Sequence, residues 1–87
     1  MKRMSTSESM IMDWIWAQDR QVTLMEIAGQ FAAEKKWATT TIATFLRRMK
    51  DKGYLVSVRK GRTYLYSPSV SSRDFGLLTA KNVVDIN

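Results

Sequence analysis

Apolar residues recur at helical spacing up to about residue 52 and at strand spacing just after it. The first run opens with Ser5-x-x-Glu8, the spacing of a capping box, in which hydroxyl and carboxylate satisfy each other's backbone donors. Met4 would pack at its entrance. Glu8, Ile11, Met12, Ile15 and Trp16 share one face of that helix, and Trp14 falls on its flank, partly exposed. Thr23-x-x-Glu26 repeats the signal and starts a second helix, with Leu24, Ile27, Ala28 and Phe31 as its buried stripe. Val22 just before it could pair with a later strand. A third helix is expected from about residue 39 to residue 52, ended by Gly53 as a left-handed stop. Beyond it, residues 54–59 and 63–67 read as strands joined at Lys60-Gly61, with Pro68 ending the second. Ser71 or Ser72 would cap a last helical stretch that carries Phe75, Leu78, Val83 and Ile86 roughly on one side.

Three helices followed by a two-stranded hairpin is the order of a winged helix-turn-helix: mainly α, with a small β-hairpin as the wing. Residues 1–70 would form this domain, and residues 71–87 would begin a further C-terminal region. Such a fold presents its third helix to the major groove of DNA. That helix has two faces. Ile42, Phe45, Leu46 and Met49 point inward, while Thr40, Thr44, Arg47 and Asp51 point out, flanked by Thr41, Ala43 and Arg48. Trp37 and Ile42 have the spacing of a hydrophobic staple around Ala38 as the cap residue, a poor residue for that role.

Charge sharpens the picture. Nine of the fourteen Lys and Arg lie within residues 35–62, beside a single acid, Asp51, whereas the flanking segments are close to balance. A basic segment on a patterned helix and hairpin points toward a polyanion. Thr can hydrogen-bond a base edge or touch a thymine methyl, and Arg can hold guanine in a bidentate contact. Lys60 and Arg62 on the wing suit phosphate better than bases. A polar helix face is, by itself, most often only a solvated face. The alternative function is therefore a winged-helix protein–protein module whose basic face meets an acidic partner, with Trp14 and the wing as contacts.

Other classes fit less well. An 87-residue chain makes one small domain with a thin core, unsuited to an enzyme cavity. It has neither Cys nor His, which removes thiolate metal sites, the commonest zinc ligand and the commonest general base. No enzyme activity, cofactor, metal or small-molecule ligand is expected. No apolar run approaches the roughly 20 residues of a membrane span. The start, M-K-R-M-S-T-S-E, does not read as a signal peptide, so a cytoplasmic location is expected. Tyr54, Tyr64 and Tyr66 alternate as core-facing residues would, which leaves no exposed aromatic platform for RNA.

Three stretches then carry a resemblance: S-T-S-E-S-M-I-M-D-W-I-W, W-A-T-T-T-I-A-T-F-L-R-R-M-K-D-K-G-Y-L, and K-G-R-T-Y-L-Y-S-P. Together they resemble the penicillinase-repressor and copper-repressor family (BlaI, MecI and CopY), with a weaker continuation through T-A-K-N-V-V-D-I-N. The resemblance implies a transcriptional repressor that binds, as a homodimer, palindromic operators built around TACA and TGTA. It implies that Thr40, Thr41, Ala43, Thr44 and Arg47 face bases and phosphates, and that residues 71–87 begin the first dimerisation helix. Two residues depart from the family pattern: Ala38 stands where a Ser cap is usual, and Ser57 where an Arg is common on the wing strand. Family members differ in their release, either by a β-lactam sensor-protease or by copper on C-terminal cysteines, and neither site lies in these residues.

Overall fold

A computed structural model describes residues 3–75. Their elements run α1 (Thr6–Gln18), β1 (Val22–Thr23), α2 (Leu24–Lys35), α3 (Thr39–Asp51), β2 (Leu55–Lys60) and β3 (Thr63–Pro68). Both capping boxes form. Ser5 Oγ accepts from the Glu8 N–H at 3.2 Å, and Glu8 Oε1 accepts from the Ser5 N–H at 2.7 Å. Thr23 and Glu26 repeat the exchange at 3.1 and 3.0 Å. Each cap contributes about 1 kcal/mol to where its helix starts.

The stripes expected from periodicity meet in one core. Ile11, Met12 and Ile15 of α1, Ile27, Ala28 and Phe31 of α2, and Ile42, Leu46 and Met49 of α3 are all buried. Met4, Trp14, Trp16, Leu24 and Phe45 are half-buried around them. Trp14 packs edge-on against Phe31, with ring centres 6.4 Å apart. The three strands form one antiparallel sheet in the order β1-β3-β2. Val22 lies opposite Tyr66, so the strand pairing expected of it exists. This is a winged helix.

The hairpin departs from expectation in three ways. Tyr54 is not in the strand: its N–H donates to Met49 O at 2.9 Å, closing the turn at Gly53, and its side chain is buried. The strands extend to Lys60 and start again at Thr63, so the turn is Gly61-Arg62 and not Lys60-Gly61. Gly61 takes φ 64°, a conformation that glycine adopts without steric cost. Finally, Tyr64 does not face the core and is 49 % exposed. It shares a sheet face with Tyr66, but it sits opposite Arg59 one pair short of the turn. There it lines a shallow cleft with Thr23 and with Leu24 and Met25 of the first turn of α2.

Past β3, Ser71 supplies the cap: its Oγ accepts from the Asp74 N–H at 3.0 Å, opening a helical turn at residues 72–75. Phe75 packs against Trp16 and Tyr54, with ring centres 5.6 and 5.7 Å away. Trp16 Nε1 also donates to Val70 O at 2.9 Å, tying this segment to α1. Leu78, Val83 and Ile86, the rest of the expected C-terminal stripe, lie outside the described residues.

Candidate nucleic-acid interface

A three-residue turn sets α3 against α2. Lys36 closes α2 in the left-handed conformation, φ 58° and ψ 29°, with its N–H on Ala32 O at 3.1 Å. Trp37 then turns inward, stacking on Phe31 at 5.5 Å and meeting the edge of Phe45 at 5.3 Å. Ala38 is the N-cap, and with no side-chain oxygen it makes no cap hydrogen bond. Hence aromatic packing, with no cap bond to help it, fixes the entry of this helix.

With Ile42, Leu46 and Met49 buried, α3 presents its other side to solvent. Thr40, Arg47 and Asp51 are exposed and Thr44 is half-buried. Thr44 Oγ1 donates to Thr40 O at 3.0 Å, one turn back. Thr41 and Ala43 are half-buried flanks, small enough for a groove wall to approach closely. Arg48 is exposed on the flank away from the hairpin, by the roughly 100° per residue of an α-helix.

Two polar contacts missed by periodicity position the wing. Lys50 Nζ donates to Ser57 Oγ at 2.7 Å, joining the last turn of α3 to β2. An Arg in place of Ser57 would put two cations side by side here. Arg59 Nε donates to Gly61 O at 3.0 Å and folds back over the wing turn. Lys60 and Arg62 are both exposed at the tip of this braced hairpin. Thr40, Arg47 and Arg48 are thus exposed on α3, with Thr41, Ala43 and Thr44 half-buried between them, and Lys60 and Arg62 are exposed on the hairpin that Lys50 and Ser57 join to it.

A third contact changes the meaning of the basic segment. Lys52 Nζ lies 2.6 Å from Oε1 of Glu8, which is 1 % exposed, and donates also to Arg3 O at 3.1 Å. Burial alone would raise the Glu8 carboxyl. The Lys52 hydrogen bond, the backbone and side chain of Ser5 and the Lys52 charge outweigh it and hold the group below its ordinary value. Glu8 Oε2 is buried with no hydrogen-bond partner among the described residues. Lys52 is thus half-buried and paired within the domain, and the charge available to a partner is smaller than the count within residues 35–62 suggests. One signal was present in the sequence, a carboxylate on the apolar stripe of α1, which demands a cation; which cation could not be read from it.

Among the described residues no group of His, Cys, Asp or Glu could hold a metal ion, and no helix is long and apolar enough to cross a membrane.

Comparison with known proteins gives a consistent picture. The family model for the penicillinase repressor matches residues 4–86. The transcriptional regulator BlaI of Mycobacterium tuberculosis is 29 % identical over 72 residues, 83 % of this chain and 51 % of that protein. The chain spans about half the length of the curated relatives it matches. The solution structure of the DNA-binding domain of the repressor BlaI superposes with a TM-score of 0.74 at 28 % identity, covering 85 % of this chain and 93 % of that one. The monomeric form of Bacillus licheniformis BlaI, solved in complex with the blaP half-operator, gives a TM-score of 0.71 at 27 % identity over 84 % of this chain and 88 % of that one.

Proposed function

Because the chain belongs to the penicillinase repressor family, we propose that it is the operator-binding domain of a transcriptional repressor. In this reading α3 enters the major groove of double-stranded DNA, with Thr40, Thr41, Ala43, Thr44 and Arg47 against base edges and the nearest phosphates. Arg48 touches the backbone on one side of the groove, and Lys60 and Arg62 touch it on the other. Arg47 is the residue best suited to guanine, and the threonines to thymine methyls or base-edge donors and acceptors. The observation that carries the reading is the outward face of α3: small, polar and basic, unclaimed by the core, with a braced cationic wing beside it. The half-operator complex of a relative of the same fold supports it.

A repressor of this kind works in the cytoplasm as a homodimer on a palindrome, each recognition helix reading one half-site. Residues 71–87 begin the region that pairs two chains in the full-length protein. One domain alone binds a half-site weakly, with affinity falling steeply as salt rises, since released counterions supply much of the driving force. An electrophoretic titration against a TACA/TGTA palindrome and a scrambled duplex of equal length tests this. Preference for the palindrome is expected. Equal affinity for both would remove the sequence-specific reading.

A further inference from the structure

We infer that Glu8 is a positioning residue for DNA recognition, acting through Lys52 to fix the C-terminal end of α3; the inference rests on the operator-binding reading. Lys52 is the C-cap of α3, and its N–H donates to Arg48 O at 2.9 Å. Its ammonium group crosses to the first turn of α1, 44 residues away in sequence, and holds both Glu8 Oε1 and Arg3 O. Glu8 is itself fixed, because the same oxygen accepts the Ser5 N–H of the capping box. A strut therefore runs from a rigid helix start to the last residue of the recognition helix.

The two ends of α3 are held by different means. Trp37, stacked on Phe31, secures the entry. At the exit Met49 and, just past Gly53, Tyr54 pack in the core, and the ion pair adds a polar tie to the start of α1. Arg47 and Arg48 stand in the turn just before that tie. Recognition side chains have to be held to within about half an ångström to keep their contacts. An α3 released at its exit would spend part of its time off that geometry, and its apparent affinity for a cognate site would fall by the competent fraction. Phosphate contacts, which tolerate looser geometry, would be kept.

The pair also explains why a charge is buried in so small a core. A carboxylate at 1 % exposure is costly unless it is compensated, and an apolar residue could have filled the site without that cost. An apolar residue would not hold the exit of α3 in register with the cap of α1.

Glu8→Gln tests the inference. The amide keeps the oxygen that accepts the Ser5 N–H but removes the charge that draws Lys52, leaving the partly exposed ammonium on a weaker, neutral acceptor from which it can swing into solvent. Wild type and variant are titrated on palindromic and scrambled duplexes at a temperature where circular dichroism shows both folded. Expected is a fall of roughly tenfold in cognate affinity, with scrambled-DNA affinity unchanged or slightly raised by the freed lysine. A merely structural role lowers both affinities together, by the folded fraction, and leaves their ratio unchanged; that result would overturn the inference. If Glu8→Gln does not fold, the double variant Glu8→Gln, Lys52→Met, which leaves no charge buried alone, decides. A reduced ratio sustains the strut, and a wild-type ratio sinks it. A wild-type domain without cognate preference would instead refute the operator-binding reading itself.

Discussion

Replacing Ala38 by serine should stabilise the domain, and the molecule supplies its own calibration. α1, α2 and α3 each begin from an extended N-cap residue: Ser5 at φ −70° and ψ 167°, Thr23 at −95° and 162°, and Ala38 at −69° and 154°. In the first two, the hydroxyl accepts the backbone N–H three residues on, at 3.2 and 3.1 Å. Ala38 has nearly the backbone of Ser5 and is exposed, so a serine Oγ there reaches the Thr41 N–H without displacing a neighbour. Thr41 cannot return the favour as Glu8 and Glu26 do, so only half of a capping box forms. The gain expected from the cap bond alone is about 1 kcal/mol. For a domain of this size that raises Tm by roughly 4–8 °C. Thermal melts of wild type and Ala38→Ser in one buffer, followed by far-ultraviolet circular dichroism, measure it. Ala38→Val, which adds bulk but no oxygen and is as poor an N-cap as alanine, should not raise Tm. An unchanged or lowered Tm for the serine variant would refute the reasoning from cap geometry.

Arg47→Ala should cost roughly 1–3 kcal/mol on cognate DNA and relax discrimination, while Lys60→Ala weakens cognate and scrambled duplexes about equally and lowers the salt slope by about one; equal loss on both duplexes for Arg47→Ala would reassign it to the backbone. Leu46, fully buried, should lose about 2–5 kcal/mol on truncation to Ala, a large share of the whole for so small a domain, visible as a drop in the urea midpoint. Folding holds the Glu8 carboxyl below its ordinary value of 4.5, so its contribution is complete above that pH and is lost as pH falls through the lower folded value. Urea melts from pH 7 to pH 3 should therefore show a loss of stability in acid that Glu8→Gln reduces, leaving the same-signed contribution of exposed Glu26; an identical slope in the variant would show that Glu8 is not its source.

Local signals were the legible ones. The two capping boxes, the stop at Gly53 and the inward faces of three helices each depend on residues within a turn or two of one another, and all are where the pattern put them. The pairing of Val22 with Tyr66 spans the domain and was legible only as a possibility, because β-propensity marks a strand without naming its partner. Alternation misplaced Tyr64: a period of two gives the face of a sheet, not how far the helices extend along it. Charge misled in its own way. Lys50, Lys52 and Arg59 counted toward a basic surface, yet each makes a hydrogen bond inside the domain. What a lysine touches depends on chain segments brought together only by folding.

The two residues of β1 have a consequence out of proportion to their length. By pairing with Tyr66 and Leu65, midway along β3, they tie the hairpin to the start of α2, so only its outer part stands as two strands. A two-stranded hairpin alone is only marginally stable in water. An arm of that kind would surrender its conformational freedom upon meeting a duplex, and the ordering would be deducted from affinity. Here that entropy is given up during folding, and the wing meets its partner already shaped.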